Sequence, residues 1–145
     1  MDDIKRKARE RAEKSKLPYA GAVTPAEAHA LMQQGAKLVD VRTDAELHYV
    51  GSVPGSEAIE WTTWPEGQRN PSFLDQLGEV AHKDETVMFL CRSGVRSHAA
   101  ATAAARAGWT EAYNILEGFE GDKDKDGHRN TQGGWRHARL PWIQS

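Results

Sequence analysis

Cys91 is the single cysteine of this 145-residue chain, and it opens the run Cys91-Arg92-Ser93-Gly94-Val95-Arg96-Ser97. A thiolate is a strong nucleophile, so a cysteine set among arginines, serines and a glycine points to covalent chemistry on or beside an anion. Arg92 and Arg96 supply full positive charge, and Gly94 admits backbone conformations that a side chain resists. The apolar segment Thr86-Val87-Met88-Phe89-Leu90 precedes the run and an alanine-rich segment follows it. The first reads as a strand and the second as a helix, which places the thiol at a strand-to-helix turn. Such a turn directs successive N–H groups and the positive end of a helix dipole at one point, favouring a thiolate or a bound anion there. The two arginines and the turn also argue against a buried structural thiol, the other common fate of a free cysteine.

The elements that must position this loop alternate along the chain. Thr24-Pro25-Ala26-Glu27 is a capping box with proline at the first helical position, predicting a helix with Ala28, Leu31 and Met32 on its apolar stripe and Gly35 at its end. Residues 37–41 read as a buried strand, Arg42-Thr43-Asp44 as the opening of a short helix carrying Glu46 and Leu47, and Ala58-Ile59 as a short strand after a turn at 51–56. Residues 61–71 have no clean period and read as a loop; Trp61 and Trp64 either sit near a pocket or cover part of the core. Asn70-Pro71 caps a helix in which Phe73, Leu74, Leu77 and Val80 or Ala81 recur at helical spacing. A strand at 86–90, a helix at 97–107 ended by Gly108, a strand at 113–116 and a terminal helix at 133–138 complete the order. Strands alternating with helices imply the α/β class, with a parallel sheet covered on both faces.

This length suits one domain, and a domain of this size buries roughly 70% of its unfolded surface. Residues 1–18 form a charged N-terminal arm outside a single domain of residues 19–145. The arm holds Lys5, Arg6, Lys7, Arg9, Arg11, Lys14 and Lys16 among Asp2, Asp3, Glu10 and Glu13, with too few apolar groups to dock firmly. It reads as a solvated, fraying helix in preference to a basic arm for an acidic partner. A net charge of −2 and a pI near 6.3 give no overall attraction to nucleic acid or to an anionic membrane. With one cysteine, no apolar run approaching the roughly 20 residues of a membrane span, and no apolar region of signal type, the expectation is a cytoplasmic protein.

Metal signals are weak. His29, His48, His82, His98 and His137 are scattered and cannot assemble a zinc set with a single cysteine. Asp122-x-Asp124-x-Asp126-Gly127 opens like a calcium loop, but its twelfth position is Gly133 and its eighth is Arg129, so it reads as a solvated acidic and basic loop. His128 and Arg129 within it are candidates to reach the mouth of the Cys91 loop, and His98, in the first turn of the following helix, is a candidate base.

In order and spacing, Asp40-Val41-Arg42, the turn Gly51-Ser52-Val53-Pro54-Gly55-Ser56, the loop 91–97, Ile115-Leu116-Glu117-Gly118, Gly133-Gly134-Trp135 and Leu140-Pro141-Trp142 resemble the single-domain form of the rhodanese family. The resemblance spans residues 23–142. It implies a three-layer α/β/α fold, with a five-stranded, mostly parallel sheet and helices on both faces. It also implies sulfurtransferase chemistry without metal or organic cofactor, in which Cys91 carries a persulfide. On that basis Arg92, Ser93, Gly94, Val95 and Arg96 match the loop that cradles the transferred sulfur and a small anionic donor, and Ser97 its exit. Asp40 and Arg42 match a scaffold for the neighbouring loops. The Cys91 thiolate would attack the outer sulfur of a donor such as thiosulfate, and a thiol or cyanide acceptor, or an acceptor protein, would then take it. Two departures stand out: Ser52 occupies a position where the family often has His, and residues 120–133 replace a tighter connection.

Two alternatives are distinguishable. Cysteine phosphatases also use a strand-end Cys and an anion loop, but their signature arginine falls where this chain has Ser97, one position beyond Arg96. The shorter loop makes a smaller cradle, suited to one sulfur atom better than to a phosphoryl group. The other alternative is a non-catalytic or partner-dependent persulfide carrier or binding module; such modules commonly replace the cysteine, which is kept here.

Overall fold

The computed structural model describes residues 2–63 and 65–144, so Trp64 lies outside the described residues. Five strands, β1 (Gly21–Val23), β2 (Lys37–Asp40), β3 (Glu57–Ala58), β4 (Val87–Leu90) and β5 (Ala112–Ile115), form one sheet in the order β1-β5-β4-β2-β3. Every neighbouring pair is parallel. The helices are α1 (Asp2–Ser15), α2 (Pro25–Gln33), α3 (Asp44–Tyr49), α4 (Phe73–Val80) and α5 (Val95–Arg106).

Side chains alternate across a strand, and here the alternation sorts the core into two layers. Val87 and Phe89 of β4, with Val39 of β2 and Ala112 of β5, meet Phe73 and Leu77 of α4 and Ala100, Ala101 and Ala104 of α5. Met88 and Leu90, with Leu38, Tyr113 and Ile115, face Ala8 of α1, Ala28 and Leu31 of α2, Phe119 and Trp135. The small alanines of α5 let that helix lie close to the sheet, which sets the depth at which its first turn meets the end of β4.

Local sequence accounts for the helix starts. Thr24 Oγ1 accepts from Glu27 N while Glu27 Oε1 accepts from Thr24 N, the expected capping box. Thr43 and Glu46 repeat it at α3. At α4 the N-cap is Ser72 instead of Asn70, and Asn70 Oδ1 accepts from Ser72 N. Trp61 packs edge-on against Phe73, with ring centroids 5.0 Å apart, and covers that part of the core.

Three expectations are corrected. The N-terminal segment docks: Ala8 is fully buried, and a Cβ on Gly21 would sit 2.7 Å from the Ala8 backbone, so α1 lies directly on β1. Long cations secure it, Lys5 with Glu111 and Thr86, and Arg11 with Glu27 and the Ala22 carbonyl. Small residues and charged stems do here what large apolar groups do elsewhere. Residues 133–138 form turns and no helix. Gly134 has φ 108 and donates to Glu117 Oε1 at 2.9 Å, a backbone geometry that fixes the buried Trp135 but cannot continue as helix. The strand β1, small and three residues long, was not expected; it exists through its pairing with β5.

Candidate active site

Parallel strands deliver their carboxyl ends to one edge, and β2 and β4 do so side by side. Asp40 is in register with Leu90, and Val41 N donates to Leu90 O at 2.8 Å. Asp40-Val41-Arg42 and Cys91 therefore leave the sheet together. Asp40 and Arg42 are both fully buried; Arg42 Nε and Nη2 donate to the Asp40 carboxylate at 3.0 and 2.7 Å, and Nη2 also donates to Gly51 O at 2.7 Å. The guanidinium lies 4.3 Å from the centre of the Phe119 ring. This pair ties the 51–56 turn and the Phe119 segment to the sheet edge, as a scaffold would.

Cys91 continues the face of Val87 and Phe89 and is only 1% exposed, which corrects the expectation of an unburied thiol. Gly94, the N-cap of α5, has φ 109, and this left-handed step turns its N–H back onto Cys91 Sγ at 3.0 Å. Ser97, in the first turn of α5 and fully buried, places Oγ 3.4 Å from Sγ and 2.5 Å from Asn114 Oδ1. A hydroxyl has one proton, and the shorter contact takes it, leaving the Ser97 oxygen facing the sulfur. Asn114 Nδ2 in turn donates to Gly94 O at 3.3 Å. Asn114 was not singled out from sequence; period-two alternation with Ala112, which faces α5, is the signal that finds it.

The segment after β5 clamps the loop from the other side. Phe119 N donates to Cys91 O at 2.8 Å and Glu120 N to Arg92 O at 3.0 Å. Gly118 is essential to that approach: its φ is 66, and a Cβ there would fall 2.5 Å from the Arg92 backbone.

The two loop arginines differ. Arg96 forms a two-pronged ion pair with Glu46 of α3, Nη1–Oε1 2.6 Å and Nη2–Oε2 2.9 Å. Burial alone would favour the neutral Glu46 acid, but the hydrogen bond and charge of Arg96 and the Thr43 contacts outweigh it and bring Glu46 down to about 2. The same hydrogen bond, with charge on Glu46, Cys91 and Asp40, holds Arg96 above its ordinary value. Arg92 is exposed, as is Val95, while Ser93 and Gly94 are half-buried. Arg92, Arg96, Glu46, Thr62 and Thr63 line a cleft of about 400 Å³. Glu46 was read from sequence only as a helix residue; its pairing across fifty positions carries no local signal.

Other candidates have partners of their own. His98 shares a 2.8 Å hydrogen bond through Nδ1 with Tyr19 Oη, whose proton burial makes harder to remove. Arg129 donates to Gly121 O at 2.6 Å, turned into its own loop. Asp124 accepts from the backbone of Asp126 and His128 and from Thr131, so the acidic run folds on itself. Among the described residues no cluster of three or more metal-ligating side chains occurs, and no helix is long and apolar enough to cross a membrane.

Residues 24–125 match the family model of the rhodanese-like domain. The chain is 43% identical to the crystal structure of Rv0390 from M. tuberculosis, covering 88% of this chain and 99% of that one with a TM-score of 0.80. It is 32% identical to the thiosulfate sulfurtransferase GlpE of Haemophilus influenzae over 82% of this chain and 90% of that protein. A Rhodopseudomonas palustris structure, described as a protein of unknown function and possible tyrosine phosphatase, is 25% identical over 90% of this chain and 87% of that one, with a TM-score of 0.56.

Proposed function

The chain belongs to the rhodanese family, and within it we propose that this protein is a sulfurtransferase that carries sulfane sulfur on Cys91. The observation that carries the reading is the Gly94 N–H aimed at Cys91 Sγ at 3.0 Å, in a loop that opens α5 and holds Arg92 and Arg96. The Cys91 thiolate attacks the outer sulfur of a donor such as thiosulfate. A Cys–S bond forms, the donor S–S bond breaks, and sulfite leaves with the electron pair. A thiol or cyanide then attacks the outer persulfide sulfur and releases the Cys91 thiolate.

Three loop members have a role in this scheme. The Gly94 N–H and the dipole of α5 stabilise negative charge on the sulfur, and Arg92 meets the anionic donor at the exposed side. Arg96, paired with Glu46, holds α3 against the loop and adds a fixed dipole. The similarity to GlpE supports the donor class. The loop supports sulfur over phosphoryl transfer, because Arg96 stands one position short of the phosphatase arginine and both prongs of its guanidinium are spent on Glu46. Thiocyanate formation from thiosulfate and cyanide, compared between the protein and Cys91→Ser, tests the reading: turnover abolished by the substitution supports it, and equal turnover sinks it.

A further inference from the structure

We propose that Glu46 sets the charge of the donor, so that the cleft favours a singly charged donor bearing an organic group, such as a thiosulfonate or an organic persulfide, over the thiosulfate dianion. This rests on the sulfur-transfer reading and takes the cleft lined by Arg92 and Arg96, the two cations of the Cys91 loop, as the one the donor enters. The loop brings two formal positive charges, Arg92 and Arg96, but Glu46 lines the cleft beside them and returns one negative charge. Arg96 spends Nη1 and Nη2 on that carboxylate. Arg92 is exposed and makes no salt bridge with a described residue, which leaves one uncompensated cation for an incoming anion. Glu46 is ionised at neutral pH, so this balance holds under working conditions.

A dianion therefore carries one charge more than the cleft neutralises and brings it toward a carboxylate. A monoanion is matched by Arg92 alone. The remaining wall includes Ala45, Val50 and Pro65, apolar surface that an organic substituent covers and thiosulfate does not. The transfer step balances without an oxidant. With a thiosulfonate, Cys91 thiolate bonds to the sulfane sulfur, the S–S bond breaks, and a sulfinate leaves with the electron pair while the persulfide keeps the sulfane charge.

Benzenethiosulfonate and thiosulfate present the same sulfane sulfur with one and two charges, and cyanide can serve as acceptor for both. The measurement is kcat/KM for each donor in the unaltered protein, Glu46→Gln and Glu46→Asp; comparing variants removes the intrinsic reactivity of the donors. Gln can keep the capping box with Thr43 while losing the charge, and Asp keeps the charge with a shorter reach. Glu46→Gln is expected to raise the thiosulfate-to-benzenethiosulfonate ratio about tenfold, the order of one partly screened unit charge at close range. Glu46→Asp is expected to leave the ratio near that of the unaltered protein even where both activities fall. An unchanged ratio in Glu46→Gln, or the same shift in Glu46→Asp, overturns the proposal while leaving sulfur transfer intact. Loading of Cys91 by neither donor overturns both.

Discussion

Asn114 Oδ1 lies 2.5 Å from Ser97 Oγ, and that hydroxyl oxygen lies 3.4 Å from the Cys91 sulfur, so a side chain of the β5 strand orients the group that faces the thiol. Through Nδ2 the same amide reaches Gly94 O, on the residue whose N–H points at the sulfur. The sheet thus holds the loop at two places with one side chain.

Asn114→Ala removes both holds without opening a large cavity. The rate of Cys91 loading, followed as sulfite release from thiosulfate, is expected to fall on the order of tenfold, because small misplacements of a positioned nucleophile are costly. The melting temperature should fall by several degrees, since two hydrogen bonds worth about 1 kcal/mol net each are lost. An unchanged loading rate would show that the loop keeps its shape without β5.

Gly118→Ala probes the opposite clamp. Its Cβ would overlap the backbone of Arg92 and Cys91 at 2.5 to 2.6 Å, and its φ of 66 is itself unfavourable for alanine. Backbone cannot give way as a flexible side chain can, so the variant is expected to lose about 2 kcal/mol or more of stability, together with loading activity. Urea unfolding measures the first and sulfite release the second. A variant that keeps its full unfolding midpoint would contradict the close approach.

Acid should loosen α1 before the core. Glu27 and Glu111 both ionise more easily than the ordinary carboxylate at 4.5: burial opposes this, and hydrogen bonds and charge from Arg11 on one, and from Lys5 with Tyr113 and Arg9 on the other, outweigh it. Glu46, at about 2, behaves alike. A carboxylate depressed in the folded state stabilises it fully above its unfolded value and loses that contribution as pH falls through the folded one. Stability is therefore expected to decline from about pH 4.5 toward pH 2, and the decline to be shallower in Glu111→Gln. Each pair is partly exposed, so the individual slopes are small. Identical pH profiles for Glu111→Gln and the unaltered protein would contradict this assignment.

Where a feature was written in adjacent residues, it was legible in the sequence. The Thr24 capping box, the apolar strand run of 86–90 and the glycine that turns the loop are all set within a few positions, and the order of elements from α2 to β5 followed from them. Cys91, Arg92, Ser93, Gly94, Val95, Arg96 and Ser97 lie together because they are consecutive. What escaped was decided across the chain. The docking of α1 depends on Ala8 meeting Gly21 and on cations reaching Glu111 and Glu27, and small residues give no hydrophobic period to read. Residues 133–138 looked helical, yet Gly134 is committed to Glu117 and Trp135 to the core. The burial of Cys91 follows from the alternation of β4, in which it continues the face of Val87 and Phe89, and an uninterrupted apolar run does not mark that face.

Sulfur transfer requires that Cys91 accept a sulfur atom, and the intact mass of the protein before and after thiosulfate or benzenethiosulfonate reads that step. A gain of one sulfur atom is expected with at least one donor, lost on adding cyanide and absent in Cys91→Ser. No gain with either donor, or the same gain in Cys91→Ser, would contradict it.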